Sequence, residues 1–99
     1  MSTTHATDIA DDNTVYIGKK FFMRYVMAVL MKFNYFKHDE VIIKARGKNI
    51  SKATLVAEVV RNTFHEDVKY KLIAIGSVYI ESSGIRKRIS SIKIVLTRF

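Results

Sequence analysis

Two features of this sequence predict a two-layer α/β sandwich with the element order β-α-β-α-β-β. Two apolar segments with helical spacing, over 21–36 and 50–64, each lie between runs rich in β-branched residues. From Val68 onward the chain reads as two long strands separated by the turn Ser82-Ser83-Gly84. A helix between two strands carries the chain back to its starting edge, so the first three strands run parallel. The fourth, joined by a hairpin, completes a four-stranded mixed sheet.

A chain of 99 residues is one domain with a modest core. Its charge is the dominant global property, +8 at neutral pH, and it is unevenly spread. Met1 to Asp12 carry Asp8, Asp11 and Asp12 and no Lys or Arg, whereas the remainder holds all 17 cations against six acids, a net of +11. A small domain this basic repels itself and calls for a polyanion, with nucleic acid ahead of an anionic membrane surface. Residues 1–13 are read as a disordered acidic tail and 14–99 as the folded domain. The absence of cysteine excludes disulfides and thiolate metal sites, and the N-terminus lacks the pattern of a signal peptide. Both fit an intracellular, cytoplasmic protein.

Thr14 to Gly18 form the first strand, followed at once by Lys19 and Lys20. Phe21 to Phe36 is an almost wholly apolar helix with one narrow polar stripe, Arg24, Ala28 and Lys32. Two internal charges and a length below the ~20 apolar residues of a bilayer span make it a core helix buried on two sides. The second side would be covered by a partner, a second copy of the chain, and the methionines read as core filler. Val41 to Arg46 is the second strand. In the second helix, Ile50 to Phe64, the residues Ile50, Ala53, Val56, Ala57, Val60 and Phe64 share one face, Leu55 and Val59 form a smaller apolar patch, and Lys52, Glu58 and Arg61 face solvent. Val68 to Glu81 is a long third strand with Gly76 as a bulge or close approach, and Arg88 to Thr97 is the fourth. The joins Phe36-Lys37-His38-Asp39-Glu40 and Phe64-His65-Glu66-Asp67 echo each other between helix and strand.

The stretch from Ile42 to Lys52 organises the rest. A buried strand turns basic at Lys44 and Arg46, breaks at Gly47, and enters a helix near Asn49 or Ser51, either of which is a candidate cap. Lys44, Arg46, Lys48 and Lys52 are thus gathered at a helix N-terminus, whose unpaired N–H groups and partial positive charge suit an anion, above all a phosphate.

Parallel strands then bring distant charges together. Lys19 and Lys20 follow the first strand, the Lys44–Lys52 cluster follows the second, and Arg86, Lys87 and Arg88 sit at the hairpin tip after the third. All three belong to one edge of the sheet, where ligands of open α/β sheets bind. Asp39, Glu40, Glu66 and Asp67 belong to the opposite edge. At ~3.3 Å per residue the last two strands outreach the first two and must project as a two-stranded arm, its basic tip shaped for a nucleic-acid groove.

Ile17-Gly18-Lys19-Lys20, Ile43-Lys44-Ala45-Arg46-Gly47, Ile50-Ser51-Lys52-Ala53 and Val59-Val60-Arg61-Asn62 resemble, in order and spacing, the Alba family of archaeal chromatin proteins. The resemblance runs from Thr14 to the C-terminus. It implies the same fold, a homodimer whose two hairpin arms flank a basic body, and largely sequence-independent binding of double-stranded DNA and of RNA. Carried over by position, Lys19 and Lys20 would contact the backbone at the centre of the dimer. Lys44, Arg46 and Lys48 would line the body beside them, Arg86 and Arg88 the arm, and Phe64 a contact between neighbouring dimers in higher-order arrays. Lys19 matches the acetylation site, where modification would remove a charge. Where the family often has proline after the lysine pair this chain has Phe21, which predicts an altered helix start.

The resemblance makes a nucleoid-associated, chromatin-compacting protein the first reading, and an RNA-binding subunit of a ribonuclease P-like complex the alternative. No phosphate-binding loop, dinucleotide fingerprint or Ser-centred elbow is present, so no enzyme, cofactor or small-molecule substrate is expected. The consecutive acids and histidines at 38–40 and 65–67 diverge at turns and make no metal site. Lys37, Lys69, Lys71, Lys93 and Arg98 read as solubility charge, and Tyr16, Tyr25, Tyr70 and Tyr79 as core or interface. No membrane partner is expected, since the apolar helix lacks a strongly cationic face.

Overall fold

A computed structural model describes residues 12–64 and 67–98. It contains β1 (Thr14–Tyr16), α1 (Phe22–Asn34), β2 (Glu40–Arg46), a 3-10 turn (Gly47–Asn49), α2 (Ile50–Phe64), β3 (Val68–Ser82) and β4 (Ile85–Arg98). The order is the expected one. The acidic tail lies outside the described residues apart from its last two, as do His65, Glu66 and Phe99.

The sheet order is β1-β2-β4-β3. β1 is parallel to β2, while β4 is antiparallel to both β2 and β3, so the first three strands share one direction although β3 does not touch β2. Both helices pack on one face. Val41, Ile43 and Ala45 of β2 alternate inward to meet Val26, Val29 and Phe33 of α1 and Ala53, Val56, Ala57 and Val60 of α2. Small Ala53 and Ala57 let α2 lie close to this layer, as the spacing of its apolar face predicts.

The two faces of α1 are apportioned differently from the sequence reading. Lys32 is buried, with 1% of its surface exposed. Its stem packs inside while Nζ donates to the Asp12 carbonyl at 2.6 Å and lies 3.2 Å from the Asp12 carboxylate, tying the start of the domain to the helix. The side facing out is apolar instead: Met23, Met27 and Met31 are exposed rather than core filler. With both sides of the helix hydrophobic, periodicity had no contrast to choose between them.

The bulge also sits elsewhere. The β3–β4 register shifts between Tyr70 and Leu72, whereas Gly76 pairs in step with Ser91. Near that shift Lys71 forms an ion pair with Glu40 across the strand ends.

β2 ends at Arg46, opposite Ser91, so Ile85 to Ser90 of β4 continue past the body paired only with β3. Those six residues extend about 20 Å at ~3.3 Å each. The arm closes at Ser83 and Gly84, both with positive φ (54° and 76°), the pattern of a type I′ turn whose twist matches the strands it joins.

Candidate nucleic-acid interface

The strand-to-helix join is made by backbone geometry. Gly47 takes φ +54°, and a Cβ there would lie 3.1 Å from Cγ2 of Ile89, so glycine is required both for conformation and for the approach of β4. The 3-10 turn follows directly, and its N-cap residue Arg46 makes no side-chain capping bond. α2 starts immediately after it, with Lys48 exposed and Asn49 half-buried ahead of the first helical turn.

The loop from β1 to α1 lies beside this join, because Tyr16 pairs with Lys44 and the Ile17 N–H donates to the Lys44 carbonyl at 2.9 Å. Lys52 fixes the loop. Its Nζ donates to the carbonyls of Gly18 and Lys20, each at 2.7 Å, and the Lys20 N–H donates to the Tyr25 hydroxyl at 3.1 Å. Lys52 is therefore not the solvent-facing residue its helical position suggested: two of its three donors hold the loop. Lys19 and Lys20 are exposed above it. Phe21 adopts φ −59°, within the range that proline imposes, so the helix begins as it would with proline there.

Strand direction and register thus put the Lys19–Lys20 loop, the Gly47 turn and the base of the arm at one edge of the sheet. Arg86, Lys87 and Arg88 are carried outward from that same edge on the arm. Asp12, Asp39 and Asp67 precede strands and Glu40 is the first residue of β2, so all four lie at the other edge. Glu81 is the exception, on the arm opposite Arg86. The Arg86 guanidinium sits 4.2 Å from the Tyr79 ring centroid, a cation–π pair that holds it alongside the ribbon.

One residue, Lys93, stands elsewhere than the sequence suggested, and three others are placed more narrowly than it allowed. Tyr16 and Tyr79 are exposed, outside the core. Lys93, read as solubility charge, pairs directly with Lys44 across β2 and β4 and so shares its face. Phe64 is half-buried, edge-on to Phe33 at 5.5 Å with the Arg98 guanidinium 5.3 Å away. Cross-strand alternation carries the signal for Lys93, but only once the β2–β4 register is known.

Tyr70 is the one described group whose acidity is clearly displaced. Burial and a hydrogen bond donated to Glu58 push its hydroxyl up to about 12, and it holds α2 against β3. Among the described residues no three His, Cys, Asp or Glu side chains group as metal ligands, and no helix is long and apolar enough to cross a membrane.

The Alba family model matches residues 13–77. The chain is 41% identical over 90 residues to the DNA/RNA-binding protein Alba of Picrophilus torridus, covering 91% of this chain and all of that one. It is 45% identical over 86 residues to the protein of the same description from Methanococcus maripaludis, covering 86% and 97%. The structure of Alba from Thermoplasma volcanium superposes with a TM-score of 0.81 at 43% identity, over 87% of this chain and 100% of that one. ALBA1 from Trypanosoma brucei, at 24% identity and a TM-score of 0.67, shares the fold. On the matched segments, the strand order and the projecting hairpin alike, the chain belongs to the Alba family.

Proposed function

We propose that this protein binds double-stranded DNA, and RNA, through their phosphate backbones, without reading sequence, as a chromosomal architectural protein. The observation that carries the reading is the placement of three cationic segments, distant in the chain, at one sheet edge or on the arm that leaves it, with Asp12, Asp39, Glu40 and Asp67 at the other edge and Glu81 alone among the described acids on the arm. Lys19, Lys20, Lys48 and the N-terminus of α2 meet phosphates on the body, with Lys44, Arg46 and Asn49 beside them. Arg86, Lys87 and Arg88 follow a groove on the arm, where arginines gain from concentrated negative potential without sequence readout. Lys52 contributes by holding the loop. The names of the relatives as DNA/RNA-binding proteins support the ligand class.

The working unit is a homodimer. Leu55 on α2 and Ile73 and Ile75 on the helix side of β3 are exposed, Ile75 to 79%, and form an apolar surface beyond the cover of the protein's own helices. A second copy placed there about a two-fold axis, rather than on the outward methionine side of α1 where helical patterning alone would put it, buries this surface and doubles the basic edge. The outer edge of Phe64 is then the contact for neighbouring dimers on a shared nucleic acid. Acetylation of Lys19, exposed on its loop, would remove one phosphate contact.

Duplex DNA and duplex RNA binding measured across a salt series tests the reading. Neutralising several phosphates makes the logarithm of affinity fall steeply and linearly with the logarithm of salt, and K19A/K20A flattens that line for every sequence alike. Affinity independent of salt would overturn it.

A further inference from the structure

The open face of the sheet, opposite the helices, carries a second feature that adjoins the basic edge, shares Lys44 and Arg46 with it, and adds Tyr16, Gly76, Ser91 and Lys93, which the backbone reading does not use. A groove of about 670 Å³ crosses all four strands there, lined among others by Tyr16, Lys44, Arg46, Lys93, Gly76 and Ser91. We propose that this groove is a binding site for unpaired nucleotides, a single strand of DNA or RNA laid across the sheet. The proposal rests on the phosphate-backbone reading above and extends it from the shared Lys44 and Arg46 onto the open face, with a different ligand form.

Charge is the first argument. Lys44 and Lys93 stand directly opposite each other on neighbouring strands, and Arg46 is the next residue on the same face. Like charges in direct cross-strand register destabilise a sheet, and no acid lines the groove to offset them. An anion between them relieves that repulsion.

The aromatic ring is the second. Tyr16 is 69% exposed on the open face, with the Lys44 ammonium 6.0 Å from its ring centroid. A flat ring beside cations is what a single strand uses, stacking a base on the ring while the phosphate meets the charge. A duplex keeps its base faces within its own stack and shows only backbone and edges, so it gains nothing from this ring.

The floor is the third. Gly76 is in ordinary register with Ser91 and has no positive φ, and a Cβ on it would make only a 3.6 Å contact with the Ser91 hydroxyl. Neither backbone nor packing therefore demands a glycine here. What the missing side chain does is leave the middle of the groove open, next to Ala74. A volume of 670 Å³ lies within the ~300–1,000 Å³ range of sites that enclose small flat ligands.

The experiment compares a polypyrimidine oligonucleotide that cannot pair with itself against a duplex of equal length, using the full chain. Gly76→Val fills the groove with a residue that strands favour, and Tyr16→Ala removes the ring, while Tyr16→Phe keeps it. Stacking of one base leads us to expect about a tenfold loss of single-strand affinity for Gly76→Val and Tyr16→Ala, recovery with Tyr16→Phe, and duplex affinity within about twofold of the unmodified protein. Equal losses on single strand and duplex, no loss on either, or no single-strand binding by the unmodified protein would each overturn the groove. Duplex binding that ignores K19A/K20A and salt would instead sink the backbone reading of the basic edge, so the two failures are distinct.

Discussion

The Lys52 ammonium lies 2.7 Å from the carbonyl oxygens of both Gly18 and Lys20, bracketing Lys19 between two fixed peptide groups. A cation on α2 thereby sets the conformation of a loop more than thirty positions earlier in the chain. Lys52→Met should lower stability by about 1–2 kcal/mol through the loss of charge-assisted hydrogen bonds. It should also weaken nucleic-acid binding several-fold while leaving the salt slope intact. Lys19→Ala, by contrast, should reduce that slope by about 0.9 per phosphate contact removed. Denaturant titration and a salt series on the two variants separate positioning from contact.

Association is expected to depend on the apolar surface of α2 and β3. Ile73→Glu and Leu55→Glu place a carboxylate where a partner would pack, yet both positions are exposed in the single chain, so folding should survive. Sedimentation should show the unmodified protein as a dimer and the variants as monomers. Far-ultraviolet dichroism should be unchanged. A dimer that tolerates both substitutions would place the interface elsewhere.

Gly47→Ala should be costly for so small a change. Left-handed backbone penalises an L-residue by roughly 1–2 kcal/mol, and the new methyl would press on Ile89 at 3.1 Å. A lowered denaturation midpoint is the expected result. Gly84→Ala meets open space at the arm tip and should carry the conformational cost alone.

Tyr70 predicts a pH effect at the alkaline end. Its hydroxyl is raised to about 12 from an ordinary 10, because burial and the bond to Glu58 favour the protonated form. Unfolded chain therefore loses this proton first as pH rises past 10. The stability the group contributes is full below that point and is lost as pH climbs towards 12. A spectrophotometric titration should find one late-ionising tyrosine that Tyr70→Phe removes. The phenylalanine variant should lose less stability than the parent across that interval.

On the arm, the Arg86–Tyr79 pair limits how far the guanidinium wanders before binding. Tyr79→Ala should leave charge and salt slope unchanged yet lower duplex affinity a few-fold through a less ordered arm. Arg86→Ala should lower both. Binding isotherms at two salt concentrations read the difference.

Periodicity along the chain was enough to determine the element order, the direction of the first three strands and, through them, the gathering of Lys19, Lys20, Lys44, Arg46 and Lys48 at one edge. Those inferences need only local spacing and the rule that a crossover helix returns the chain to its starting edge. Tertiary structure decided what local spacing leaves undefined. An α1 apolar on both sides offered no choice of inner face until Lys32 reached Asp12 and the methionines turned outward. Lys52 became a brace only when the β1–α1 loop arrived beneath it. Lys93 and Tyr16 joined Lys44 on one face through pairings between strands tens of residues apart. Pairing register is a long-range property, settled by which faces can be buried together, and no single segment encodes it alone.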